Sequence, residues 1–217
     1  MIVAIDGPAG AGKSSVARKL ADELGFDFLD TGAMYRAVAL AGLQRSWDFS
    51  DVTAVALATG KLDYQYCSAT VIVDGNDVTE DIRLPQVGRE IHHVADNPRV
   101  REILVGWQRQ WADGKNLVTE GRDQGTVVFP NAECKIFLTA TETERARRRW
   151  WELQRKGQNV TLEQILMDQS DRDQRDRGRP VGALKRADDA VEIFTDGLTM
   201  DEVVAKLTDI VESKRTA

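Results

Sequence analysis

The run Gly7-Pro-Ala-Gly-Ala-Gly-Lys13-Ser14 constrains this chain more than any other segment. It fits the pattern G-x-x-x-x-G-K-[ST], a loop built to wrap phosphate groups. Its flanks fit too. Ile2-Val-Ala-Ile5 is a short apolar, β-leaning run, and Ser14 to Leu24 has helical periodicity. Glycines let successive backbone N–H groups turn toward an anion with no Cβ in the way. The helix that follows adds the partial positive charge of its N-terminus. Lys13 reaches the outer phosphates, and the Ser14 hydroxyl is a ligand for Mg²⁺. The dinucleotide pattern G-x-G-x-x-G fails here, because a count from Gly10 puts Ser15 where the third glycine belongs.

The remaining pattern alternates strand and helix. Strands are expected at 2–5, 27–29, 117–119, 135–138 and 190–194. Helices are expected at 13–24, 33–45, 85–112, 142–156, 161–175 and 199–213. Such alternation implies an α/β fold, a parallel sheet with helices on both faces. At 217 residues and 42% apolar content, the chain suits one such domain with insertions. One interruption is β-like, with Leu62 to Tyr66, Thr70 to Val73 and an Asp74-Gly75 hairpin signal. It reads as an inserted lobe within 60–112. The Arg/Asp-rich stretch 157–187 reads as a second, mobile insertion.

Three further segments bear chemistry. In Leu29-Asp-Thr-Gly-Ala-Met-Tyr-Arg36, Thr31 is placed to cap a helix and Arg36 lies a turn inside it. In Thr119-Glu-Gly-Arg-Asp123, a strand runs into a carboxylate, a glycine and an Arg-Asp pair at the end where parallel sheets bind ligands. Between Asp171 and Arg179, acidic and basic residues alternate. Each has a plainer reading as a helix cap, a loop ion pair or a solvated helix face. The phosphate loop upstream favours an arginine-rich flap, since phosphoryl transfer needs positive charge and the exclusion of water. Trp107 and Trp111, at i and i+4, read as packing. His92 and His93 have no nucleophile or metal-ligand set nearby.

Other classes are disfavoured. A net charge of −6 argues against broad nucleic-acid binding. Cys67 and Cys134 are too few and too far apart for a disulfide framework or zinc site. No segment approaches the roughly 18 apolar residues of a membrane span, and the N-terminus runs into a strand without a basic leader. The expectation is a cytoplasmic protein without a membrane or nucleic-acid partner. The absence of a long apolar seam suggests a monomer.

Taken together, Ile5 to Lys13, Leu29 to Arg36, Gly121-Arg-Asp-Gln-Gly-Thr-Val-Val-Phe-Pro130 and 171–179 resemble the bacterial cytidylate kinases, from Ile2 to about Val204. These are P-loop nucleoside monophosphate kinases that act on CMP and dCMP. Adenylate kinases share the loop and the Thr-Gly-x-x-x-Arg element, but lack the β-rich insert and the Gly-Arg-Asp-x-Gly-Thr run. The resemblance implies a P-loop kinase fold over 1–217, with a β-rich monophosphate-binding insert and an arginine-rich lid. It implies that Gly7, Pro8, Ala9, Gly10, Ala11, Gly12, Lys13, Ser14 and Ser15 hold ATP, with Ser14 at Mg²⁺ and no all-protein metal site. It assigns to CMP the residues Thr31, Tyr35, Arg36, His92, Arg101, Arg122, Asp123, Asp176 and Arg179. Lys13, Arg145, Arg149, Arg172 and Arg179 would neutralise the phosphates during transfer. The chain departs from the family's usual pattern at Ser14-Ser15 (Gly-Thr), His92 (serine) and Phe194 (aspartate). Alternatives on the same scaffold are a kinase for UMP, AMP or shikimate, and more distantly an NTP-hydrolysing switch. The chain lacks the Asn-Lys-x-Asp expected of a guanine-reading switch.

Overall fold

The structure is a computed structural model that describes residues 1–67 and 69–215. Residues 68, 216 and 217, which fall inside the expected boundaries 60–112 and 1–217, lie outside the described residues. In chain order the strands are β1 (Ile2–Asp6), β2 (Asp27–Asp30), β3 (Tyr64–Cys67), β4 (Thr70–Val73), β5 (Asn76–Asp77), β6 (Leu117–Gly121), β7 (Cys134–Thr139) and β8 (Val191–Phe194). The α-helices are α1 (Lys13–Leu24), α2 (Thr31–Gln44), α3 (Val52–Thr59), α4 (Pro85–Ala95), α5 (Pro98–Ala112), α6 (Glu142–Arg155), α7 (Leu162–Gly178) and α8 (Met200–Arg215). Short helical turns occur at Asp81–Arg83 and Gln124–Val128.

The chain divides into two compact units, one of Met1–Asp27 with Lys115–Ala217 and one of Phe28–Gly114. The second is wider than the 60–112 lobe expected from sequence, because α2 and α3 belong to it.

The larger sheet has the strand order β2-β6-β1-β7-β8, and its strands β6, β1, β7 and β8 organise the first unit. Strand β1 lies between β6 and β7 and runs parallel to both. Central parallel strands are covered on both faces, so they read as continuous apolar runs. Ile2-Val-Ala-Ile and Leu117-Val are such runs, and every residue of β6 is buried. Helix α1 buries Val16, Ala17, Leu20 and Ala21 along one stripe. Helix α8 does the same with Val203, Val204, Leu207 and Val211.

The second unit is built on α2, ten of whose fourteen residues are buried. Its antiparallel sheet runs β3-β4-β5. The Asp74-Gly75 turn has φ values of 48° and 79° at its two central residues, as a tight hairpin that follows the strand twist requires. The two tryptophans pack as their spacing implied. Trp111 Nε1 donates to the Tyr66 carbonyl at 3.1 Å, and Trp107 stacks on Tyr64 at 5.7 Å.

One expectation is refined and another changes. The helical stretch over 85–112 is two helices. Pro98 has no N–H to continue α4, and the Asn97 side chain instead accepts from the amides of Arg99 and Val100 to start α5. Thr31 is not the cap of α2. Asp30 takes that place, its carboxylate accepting from the Ala33 amide at 3.0 Å, and Thr31 is the first residue inside the helix. Helix α3 had no expectation. Asp51 caps it, accepting from Thr53 and Ala54. No helix among the described residues is long and apolar enough to cross a membrane.

Candidate active site

In the first unit, β1 ends at Asp6, the loop turns through Gly7 to Gly12, and α1 begins at Lys13. Gly7 has a φ of 153°, and a Cβ there would sit 1.9 Å from the Leu138 carbonyl oxygen of β7. The loop therefore lies against the sheet more closely than any side chain permits.

Lys13 is buried, and its Nζ donates to the Pro8 carbonyl across the loop at 2.9 Å. Burial pushes its pKa down from 10.5 to about 7. Arg122 and Arg172 push the same way, against Glu120 and Asp6. A desolvated ammonium among other cations is poised for an anion that completes its surroundings.

The Ser14 hydroxyl donates to Glu120 Oε1 at 2.7 Å. Glu120 is buried at the end of β6, neighbour of β1. A hydroxyl beside a carboxylate is a hard-oxygen pair that suits Mg²⁺. Asp6 is buried as well. Its two oxygens accept from the Gln124 and Gly125 amides, both at 2.8 Å, which seats the Arg122-Asp123 turn on the end of β1. Burial lifts its pKa to about 6, against the two amide bonds. Gly125 leaves room for this contact, since a Cβ would meet the Lys135 stem at 3.2 Å.

Helix α7 supplies Asp176. One oxygen accepts from Arg122 Nε and the other from Arg179 Nη2, both at 2.8 Å. Burial would raise the carboxyl pKa, but the charges of Arg122, Arg179 and Arg172 and the Arg122 hydrogen bond outweigh it and hold it low. Arg122, Asp176 and Arg179 thus form one cluster. Arg172 acts electrostatically on Lys13.

The α6 arginines separate. Arg149 is exposed and pairs with Glu152 on its own helix at 2.7 Å. Arg148 pairs with Glu144 and donates to Thr195 Oγ1 and to the Thr195 carbonyl, at 2.9 and 2.8 Å. Its Nη1 is 3.9 Å from where a Cβ on Gly12 would stand. Arg145 is buried against the loop and against Asp173 of α7.

In the second unit, Thr31 and Tyr35 are buried one turn apart on α2, with Arg36 half-buried beside them. The Arg101 guanidinium lies 5.4 Å above the Tyr35 ring and donates to the Ala95 carbonyl at 3.2 Å. His92 sits on α4, with Nδ1 2.7 Å from the Arg89 carbonyl and its ring 3.9 Å from that of His93.

The segment-level reading missed Asp6 and Asp173, and noted Glu120 only as a carboxylate at a strand end. The position of Asp6 next to the loop was an available signal. For Asp173, one acid among several in an alternating run, the chain offers none.

A family model described as Cytidylate kinase matches residues 3–213. The chain belongs to the cytidylate kinase family. Within that family it is 49% identical to the cytidylate kinase of Rhodopirellula baltica, over 97% of this chain and 92% of the relative. It is 46% identical to that of Caldanaerobacter subterraneus, over 96% and 93%. It is 45% identical to that of Vibrio cholerae, over 98% and 96%. The fold is also that of a shikimate kinase from Bacteroides thetaiotaomicron, with a TM-score of 0.50 at 12% identity over 98% of both chains. Membership makes the chain a phosphotransferase on the P-loop α/β scaffold with ATP as donor.

Proposed function

We propose that this chain transfers the γ-phosphoryl group of ATP to CMP and dCMP, giving ADP with CDP or dCDP. The near full-length identity of 49% to a cytidylate kinase supports this most strongly. The loop with buried Lys13 and the Arg122–Asp176–Arg179 cluster are the chemistry such a transfer uses. The acceptor is a phosphate oxygen that is already anionic, so no strong general base is needed. The attacking oxygen bonds to the γ-phosphorus, the bond to the β-bridging oxygen breaks, and its electrons leave with ADP. The chain's task is positioning and charge neutralisation.

In this reading Gly7 to Ser15 cradle the ATP phosphates, and Lys13 holds the transferring group. Ser14 and Glu120 offer hard oxygens toward Mg²⁺, which supplies charge neutralisation on the phosphate oxygens when bound. Arg172 and Arg179, within a lid of 157–187, add positive charge, with Arg149 on the neighbouring helix. Thr31, Tyr35, Arg36, His92 and Arg101 are assigned to CMP, as are Arg122, Asp123, Asp176 and Arg179.

The test is ADP release from ATP and Mg²⁺ with CMP, dCMP, UMP, AMP or no acceptor. Release that depends on CMP or dCMP, with little from AMP, is expected. Acceptor-independent release would refute the reading. Replacing Arg172 or Arg179 by alanine is expected to lower kcat by about 10²-fold, more than it raises either KM, since the lost charge acts mainly in the transition state. Steady-state kinetics on both variants check this. An unchanged kcat removes those arginines from the transfer step.

A further inference from the structure

Helix α7 presents Gln169, Arg172, Asp173 and Asp176 at spacings of three and four, hence on one face. That face meets the phosphate loop and the Arg122 turn that follows β6. The Gln169 carboxamide nitrogen lies 2.9 Å from where a Cβ on Gly10 would stand. Arg172 acts on Lys13, and Asp176 holds Arg122 and Arg179. The remaining contact is the most deeply buried. Asp173 is 1% exposed, and Arg145, with which it pairs at 2.8 Å, is 2% exposed.

Two guanidinium nitrogens of Arg145 donate hydrogen bonds, and the third is in ion-pair contact. Nη2 faces Asp173, Nη1 donates to the Ala9 carbonyl of the loop at 2.8 Å, and Nε donates to the Ala140 carbonyl just beyond β7 at 3.2 Å. An arginine that neutralises a phosphate directs its fork at the ligand. This one directs its fork at protein oxygens, and its charge is balanced by a carboxylate already in place.

We infer that Arg145 is a positioning residue, not a phosphate ligand. With Asp173 it forms a buried clamp that ties the Ala9–Gly10 turn of the loop to α7. The curvature of the loop then depends on α7 being seated, and ATP binding is coupled to the lid helix through protein contacts alone. The inference rests on the reading that this loop binds ATP. Removal of the Asp173 charge leaves a buried, uncompensated cation, which must rearrange and release the Ala9 carbonyl. The two roles predict opposite outcomes for that change.

The test uses Asp173→Asn and Arg145→Lys in the full chain, with circular dichroism and thermal unfolding as controls for folding. Both are expected to raise KM for ATP about tenfold or more, with KM for CMP within about twofold of the parent, because a small displacement of a binding loop is costly. The double variant is expected to be no worse than the worse single one. If Arg145 instead binds phosphate, Asp173→Asn frees it, and an efficiency with ATP at or above the parent's overturns the inference. An equal rise in both KM values does the same.

Should neither variant fold, hydrogen exchange on the unaltered protein decides. ATP without CMP is expected to slow amide exchange in residues 9–12 and 169–176 together, and slowing confined to the loop overturns the clamp. A parent protein without CMP-dependent ADP release refutes the functional reading instead, and the exchange measurement with ATP still reports on the clamp.

Discussion

Lys13→Met is expected to lower kcat by about 10³-fold, because it removes a preorganised, desolvated charge from the transferring group. The folded state should tolerate the change. Burying the Lys13 ammonium is a cost that the methionine avoids, and its neighbours Arg122 and Arg172 add to that cost. Equilibrium unfolding in urea near pH 7 is expected to give the variant a stability equal to or above the parent's. A strongly destabilised variant would mean that the Nζ bond to the Pro8 carbonyl holds the loop together on its own.

The same burial sets a pH dependence. The folded pKa of Lys13, about 7, lies below its ordinary 10.5. Between those values the unfolded chain binds the proton and the folded chain does not, so this group's contribution to stability rises with pH across that window. Below about pH 7 both states are charged, and the desolvation cost is fully present. Binding of ATP runs the other way, since it requires the charged form. The value of kcat/KM for ATP is expected to decline as pH rises above about 7, a limb absent from Lys13→Met. A profile that is flat to pH 9 in the parent would contradict the placement of Lys13 as a desolvated cation.

Gly7→Ala is the second large effect. The added Cβ would stand 1.9 Å from the Leu138 carbonyl oxygen, and the φ of 153° suits glycine only. The obstacle is backbone of a central strand, which cannot swing aside as a side chain does. Relief requires β7 or the whole loop to shift, at a cost of about 3 kcal/mol or more, in the range reserved for backbone strain and overpacking. Loss of cooperative unfolding, or a drop in stability of that size, is expected together with lost ATP binding. Near-parental stability in a chemical unfolding curve would show that the loop has room the structure denies it.

These cases mark what could be read from the chain. Local rules sufficed wherever the cause was local. The loop from Gly7 to Ser14, the strand before it and the helix after it follow from glycine freedom, apolar runs and helical periodicity within about twenty residues. The Asp74-Gly75 hairpin and the packing of Trp107 and Trp111 followed from equally short-range patterns. Even the departures were local, since Asn97-Pro98 divides the helical stretch and Asp30 takes the cap from Thr31 by the same capping rules applied one residue away.

Only tertiary structure decided which arginine does what. Arg145, Arg148 and Arg149 lie within five residues, equally basic in sequence, yet one is buried on Asp173, one is bound to Thr195 and one is exposed with Glu152. Successive residues on a helix project about 100° apart, so each of these side chains meets a different neighbour, and two of those neighbours, Asp173 and Thr195, come from distant parts of the chain. Likewise Glu120 meets Ser14, and Asp6 meets the amides of Gln124 and Gly125, only because β6 pairs beside β1. By itself the sequence determined that this chain builds a phosphate-binding loop on a parallel sheet. The folded chain alone decided how Lys13 is desolvated, what balances each buried charge and which side chains hold the loop in shape, because charge balance and desolvation depend on three-dimensional neighbours.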